Sequence, residues 1–340
     1  MKEAEREPEL PEAKKATLVE RAGTAGSSAA AGVRERPALA RGLRYGLVAL
    51  VVFFLVFAIA TQWRRLPDQA WRFEPGWLAL SVAAFLTMLA INAEIWRVIV
   101  ASLGYPMDRA RARKIWASTL LARYVPTNAL LVVGRVSMAA KEGVPQRVTV
   151  ASIVYEVALG VAGALTVGAY AVIGLDSLQG EPLRYVVLAL PIGTLAGLHP
   201  AIFHPVVNFA FARLGREPLA VSVRPRALLL AWGMYVLMFL AAGLGVYTFA
   251  QGIFTVSSEH IATVVSSWAV GFTVSVLAFV LPAGLGAREA GLVAALAPAM
   301  PTSVALAVAV AVRIFVTGVE LLFAGLATLV ARGRRYRAPA

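Results

Sequence analysis

Cysteine is absent from the 340-residue chain, which excludes a disulfide framework, a thiol nucleophile and a thiolate metal site. Histidine is nearly absent. The three present, His199, His204 and His260, show neither H-x-E nor H-E-x-x-H spacing, so no metal site is expected. No G-x-x-x-x-G-K-[ST] stretch occurs, and no cluster of carboxylates or histidines marks a catalytic loop, so neither a nucleotide, another cofactor nor an enzymatic centre is expected. Charge is scarce as well: 15% of residues are charged against 59% hydrophobic, with a mean hydropathy of +0.73. A soluble core cannot hide that much apolar surface, so the solvent for most of this chain is lipid.

What the chain has in abundance is apolar runs of about 20 residues, the length that crosses a hydrocarbon layer roughly 30 Å thick. They read as Tyr45 to Thr61, Pro75 to Leu103, Arg147 to Leu175, Arg184 to Phe203, Ala227 to Ile253, His260 to Leu281 and Thr302 to Val330. Two weaker stretches, Lys114 to Val133 and Arg288 to Met300, adjoin prolines and read as broken or re-entrant helices. The expected fold is an all-α polytopic membrane bundle of seven or eight segments. Residues 1–41 mix both charge signs without apolar periodicity and read as a disordered cytoplasmic tail, residues 42–332 as the membrane domain, and residues 333–340 as a basic tail.

The formal net charge of +13 raises nucleic acid as a partner. The cations, however, sit in short segments beside apolar runs, where they orient a membrane protein, and no nucleic-acid partner is expected. Basic segments at Arg34 to Arg44, Arg109 to Lys114, Arg213 to Arg226 and Arg332 to Arg337 place both termini in the cytoplasm and the protein in the cell's inner membrane. The 62–76 loop, with Arg64, Arg65 and Arg72, fits that pattern less well. An even number of crossings follows, so if Lys114 to Val133 re-enters, Arg288 to Met300 crosses, or the reverse.

Ionisable residues within membrane segments are costly and mark cavities or pairs, which singles out Glu94, Glu156, Arg313 and Glu320. Arg313 and Glu320 are two turns apart on one helical face. A packing pair, such as Glu156 with Arg313, and a headgroup-binding pair leave the same trace in a sequence. Glu94 and Arg97 have the spacing of a local pair, and Trp96, Trp116 and Trp268 read as interfacial anchors. The histidines at 199 and 204, each followed by proline, read as interfacial or helix-ending residues rather than metal ligands.

Two stretches are more specific: RYVPTNALLVVGR, Arg123 to Arg135, and LPAGLGARE, Leu281 to Glu289. In each, proline breaks a helix, glycine permits irregular backbone, and arginine follows at a new helix start. Freed N–H groups beside a guanidinium suit a phosphate. A kink with a snorkelling arginine is the competing reading. A weak internal echo accompanies them. Trp116, Pro126 and Gly134-Arg135 precede a span holding Glu156, while Trp268, Pro282 and Gly286-Ala287-Arg288 precede a span holding Arg313. Transporters place sites where such repeats meet through broken helices.

In their order, IWRVIVASLGY, LLARYVPTNALLVVGR, KEGVPQRVTVASIVYEVALG, LPAGLGAREAGLVAAL and the span holding VRIF resemble the lysylphosphatidylglycerol synthase transmembrane-region family, also described as flippase-like membrane proteins. The resemblance runs from about Gly42 to Arg332. It implies importance for Arg97, Tyr124, Pro126, Gly134, Arg135, Glu156, Pro282, Gly284, Gly286, Arg288, Glu289 and Arg313. Pro126-Thr127 stands where the family often has Pro-Gly, and Glu156-Val157 where Glu-Arg is common.

Bifunctional members carry a separate soluble domain that aminoacylates phosphatidylglycerol. The chain to Ala340 leaves no room for it, so the expectation is the membrane part alone. The implied activity is binding and translocation of a lipid with an anionic headgroup, a phospholipid or an isoprenoid phosphate. Arg135, Glu156, Arg288, Glu289, Arg313, Glu320 and Tyr124 would contact the substrate, and Pro126, Gly134, Pro282, Gly284 and Gly286 would shape the broken helices. Two alternatives stay open: an accessory subunit bound to a lipid-modifying enzyme, and a membrane-embedded transferase.

Overall fold

The computed structural model describes residues 72–120, 129–173, 182–213, 223–277 and 286–336, and among these every regular element is helical. The first expected span, the N-terminal tail, Tyr124, Pro126, Pro282 and Gly284 lie outside the described residues. In order, the helices are α1 (Pro75–Ser102), α2 (Arg109–Leu120), α3 (Ala129–Ala140), α4 (Gln146–Ile173), α5 (Pro182–Gly197), α6 (Pro200–Arg213), α7 (Pro225–Ile253), α8 (Ile261–Leu277), α9 (Ala287–Leu296) and α10 (Thr302–Tyr336). Among the described residues, five stretches, Pro75–Ser102, Gln146–Ala169, Pro225–Ile253, Ser258–Leu277 and Thr302–Ala331, are long and apolar enough to cross a membrane. The protein is a polytopic helical membrane protein.

Proline sets many of the boundaries. Pro75 and Pro225 occupy the first turn of α1 and α7, where the missing N–H is no loss. Pro145 and Pro301 immediately precede α4 and α10. The expected single span Arg184 to Phe203 is instead two helices, α5 and α6. Pro200 cannot continue the hydrogen-bond ladder of α5, and His199 Nδ1 accepts from the Ala201 N–H at 3.4 Å as the chain restarts. The helix-ending reading therefore agrees with the placement of His199, whereas His204 lies inside α6, which continues through Pro205, so there the reading does not hold.

Glycine brings the long helices together, as small residues do where lipid supplies no hydrophobic drive between helices. A Cβ on Gly243 of α7 would fall 1.8 Å from the Val265 carbonyl oxygen of α8, and one on Gly163 of α4 would fall 2.7 Å from the Tyr235 Cβ of α7. Helices α1 and α7 run antiparallel. The Arg72 and Glu74 N–H groups donate to the Ile253 and Gly252 carbonyls at 3.1 and 3.0 Å, and Ser81 Oγ donates to the Gly245 carbonyl at 2.8 Å.

The described residues of the Lys114 to Val133 stretch fall on α2 and α3. At 1.5 Å per residue, each 12-residue helix is about 18 Å long and cannot cross alone. They fold back on each other: Arg111 near the start of α2 pairs with Glu142 just beyond α3 at 3.0 Å, while Gly134 and Arg135 lie against Thr119 near the end of α2. The pair thus returns to the level at which it began, the geometry of a re-entrant hairpin. Helix α9 has 10 residues, about 15 Å, and also falls short of a crossing, so the expectation that one of the two weaker stretches re-enters while the other crosses is not met.

Candidate functional site

Arg135 is 4% exposed, within a bundle that offers few polar groups. Such a charge persists only when paired and hydrogen-bonded. Its guanidinium forms an ion pair with Glu156 of α4, donates from Nε to Thr119 Oγ1 at 3.3 Å, and lies 5.5 Å from the centre of the Trp96 ring. Thr119 can accept because its own proton goes to the Trp116 carbonyl at 2.9 Å. The second carboxylate oxygen of Glu156 accepts from Trp116 Nε1 at 3.2 Å. Trp96 Nε1 donates to Ser152 Oγ at 3.0 Å, one turn before Glu156. Tyr235 of α7 is buried within electrostatic reach of both Glu156 and Arg135. Helices α1, α2, α3, α4 and α7 thus converge on one buried charge pair.

This placement corrects two expectations. Glu156 does not pair with Arg313; its partner is Arg135, because the α2–α3 hairpin carries the guanidinium back against α4. Trp96, Trp116 and Trp268 are not interfacial anchors but buried side chains whose rings and N–H groups serve the charged residues.

A second polar cluster surrounds α9. Glu289 accepts from Arg313 Nη1 of α10 at 2.9 Å and, through its other oxygen, from the Gly286 N–H at 3.1 Å. Gly286 has φ +88°, a conformation that glycine adopts without steric cost and that starts α9 sharply. Arg288 sits 4.0 Å over the centre of the Trp268 ring, a cation–π contact. Gly134, by contrast, lies inside α3 with ordinary room beside Thr119.

Glu320 is 2% exposed on α10. Phe323, three residues on and so on the same helical face, packs edge-on against Trp116. Glu320 therefore lies at the level of α10 that meets Trp116 and the Arg135 cluster, whereas Arg313, two turns earlier on the same face, belongs to the Glu289 cluster.

Two features escaped sequence reasoning. Glu94 accepts from Arg97 at 2.7 Å, as expected, but also pairs with Arg109 of α2 at 3.2 Å, which ties α1 to the start of the hairpin. A crevice of about 310 Å³ lies between α4, α5 and α7, lined by Thr166, Ala169, Pro191, Ile192, Leu195 and Trp232. Ile192 is largely exposed, so the crevice opens at the outer surface of the helices. Thr166 is ten residues along α4 from Glu156, about 15 Å from the charge pair. Only Pro191, inside an apolar helix, hinted at it.

Comparison with known proteins finds one family: the model of the lysylphosphatidylglycerol synthase TM region matches residues 43–324. Neither the curated proteins nor the solved structures contain a match.

Proposed function

The chain belongs to the lysylphosphatidylglycerol synthase TM region family, a membrane family that acts on lipids, and from that premise we propose that it binds and translocates a lipid with an anionic headgroup. The observation that carries the proposal is the fully dressed Arg135–Glu156 pair at the meeting point of a hairpin and three long helices. A guanidinium is the side chain best shaped to hold a phosphate, and a carboxylate beside it can release or recapture that guanidinium as a headgroup arrives and leaves. Arg288 and the Glu289–Arg313 pair offer a second station of the same chemistry. The apolar crevice about 15 Å along α4 supports the reading further, since a lipid brings chains as well as a headgroup. We place the protein in the cytoplasmic membrane with both termini inside, on the distribution of its basic segments. It works without an enzymatic step of its own.

Reconstitution of the full chain into vesicles containing headgroup-labelled anionic phospholipid or isoprenoid phosphate tests this. Wild type moves label faster than protein-free vesicles, and Arg135→Ala, Arg288→Ala and Glu156→Gln, at equal incorporation, slow that movement at least tenfold. Wild-type vesicles that move none of these lipids overturn the proposal, and an accessory subunit of a lipid-modifying complex then becomes the better reading.

A further inference from the structure

The chain order of elements repeats itself. A long helix beginning at proline, α1 or α7, leads to a helix, α2 or α8, then to a short helix, α3 or α9, and after a turn ending in proline to a second long helix, α4 or α10. Contacts follow the same exchange. Helix α2 packs on α10 and α8 packs on α4, while α1 and α7 pack most extensively on each other. The echo between Trp116, Arg135 and Glu156 on one side and Trp268, Arg288 and Arg313 on the other is the sequence trace of this arrangement.

The relation between the halves is fixed by the pair that meets across it. Since α1 and α7 are antiparallel, the two-fold axis that exchanges them must lie perpendicular to their length. Both are long enough to span the bilayer, so the axis lies in the membrane plane and the halves are inverted.

The charge pairs occupy matching elements with reversed sign: Arg135 on the short helix and Glu156 on the long one, against Glu289 on the short helix and Arg313 on the long one. They also lie at different depths. Trp96 of α1 accompanies Arg135, whereas Phe85 of α1 lies 5.5 Å from Trp268, the ring beneath Arg288. Eleven residues of helix separate Phe85 from Trp96, roughly 16 Å and about half the hydrocarbon thickness.

We infer that the protein is built from two inverted four-helix halves, and that the Arg135–Glu156 and Glu289–Arg313 pairs are opposed gates, each serving the headgroup of a lipid from one leaflet. The gating part rests on the proposed function; the inverted architecture does not. When one pair parts to admit a phosphate, the exchanged packing of α2 on α10 and of α8 on α4 transmits the movement to the other half and holds its pair closed.

The natural absence of cysteine makes a direct test available in the full chain. Lys141→Cys and Ala297→Cys place single thiols in the exposed matching turns after α3 and α9. A membrane-impermeant maleimide added to sealed vesicles of either orientation labels them from opposite faces. Labelling of both from the same face overturns the inverted arrangement, whatever the lipid assay shows. For the gates, Glu156→Gln raises the labelling rate of Gly134→Cys several-fold and lowers that of Ala290→Cys several-fold. A rate at Ala290→Cys that does not fall overturns the coupling while leaving lipid movement to be judged by its own assay.

Discussion

A buried charged residue is stable only through its partner, and that decides what single substitutions do. Arg135→Ala leaves Glu156 buried without its counter-ion, and breaking a buried pair from one side costs about 3–5 kcal/mol. The expected result is a large drop in the thermal midpoint in detergent, and Glu156→Gln also lowers it, because Arg135 cannot shed its charge even though the amide oxygen can still accept from Trp116. Trp116→Phe keeps the ring against Phe323 but removes the donor to Glu156, so it costs about 1.5–3 kcal/mol in the same measurement. At this scale the sequence was partly legible. The rarity of charge in apolar runs singled out Glu156, Arg313 and Glu320, and motif context singled out Arg135 and Glu289. The pairing was not legible, because it depends on how α3 packs back along α2, a tertiary property. The tryptophans were misjudged for the same reason: an indole suits an interface and a buried hydrogen bond equally well.

Among the elements, close approach at glycine sets the packing. Gly243→Ala puts a methyl into the Val265 carbonyl, which backbone cannot move aside cheaply, so α7 and α8 must separate at a cost of about 1–3 kcal/mol or more. Gly233→Ala, on the same helix with open space at its Cβ, raises stability by about 0.5–1 kcal/mol, the gain in helix propensity alone. The comparison separates packing from helix propensity. Hydropathy located α1, α4, α7, α8 and α10 to within a few residues, since length and apolarity are properties of the run itself. It joined α5 and α6 into one span, because the apolar character continues through the Pro200 break that ends the hydrogen-bond ladder. Lys114 to Val133 looked broken in the sequence and is divided between two antiparallel helices in the structure, each too short to cross.

Across the whole molecule, lipid-facing surface, the buried Arg135–Glu156 pair and a lateral crevice are the parts that the proposed movement of an amphipathic substrate requires. Family membership supplies the lipid context, and the charge pair is the proposed site. Packing and transport make different demands on that pair, so they separate when both charges are removed together. Arg135→Met with Glu156→Leu leaves no uncompensated charge, and such apolar replacements of a buried pair are often neutral or stabilising. The measurement that decides between a structural pair and a working one is lipid movement by this double variant, reconstituted at equal incorporation and with its thermal midpoint recorded alongside. A thermal midpoint at or above that of wild type with lipid movement reduced to the protein-free rate is the result predicted here. A double variant that is equally stable and moves lipid at the wild-type rate would contradict the account and reduce Arg135 and Glu156 to packing residues.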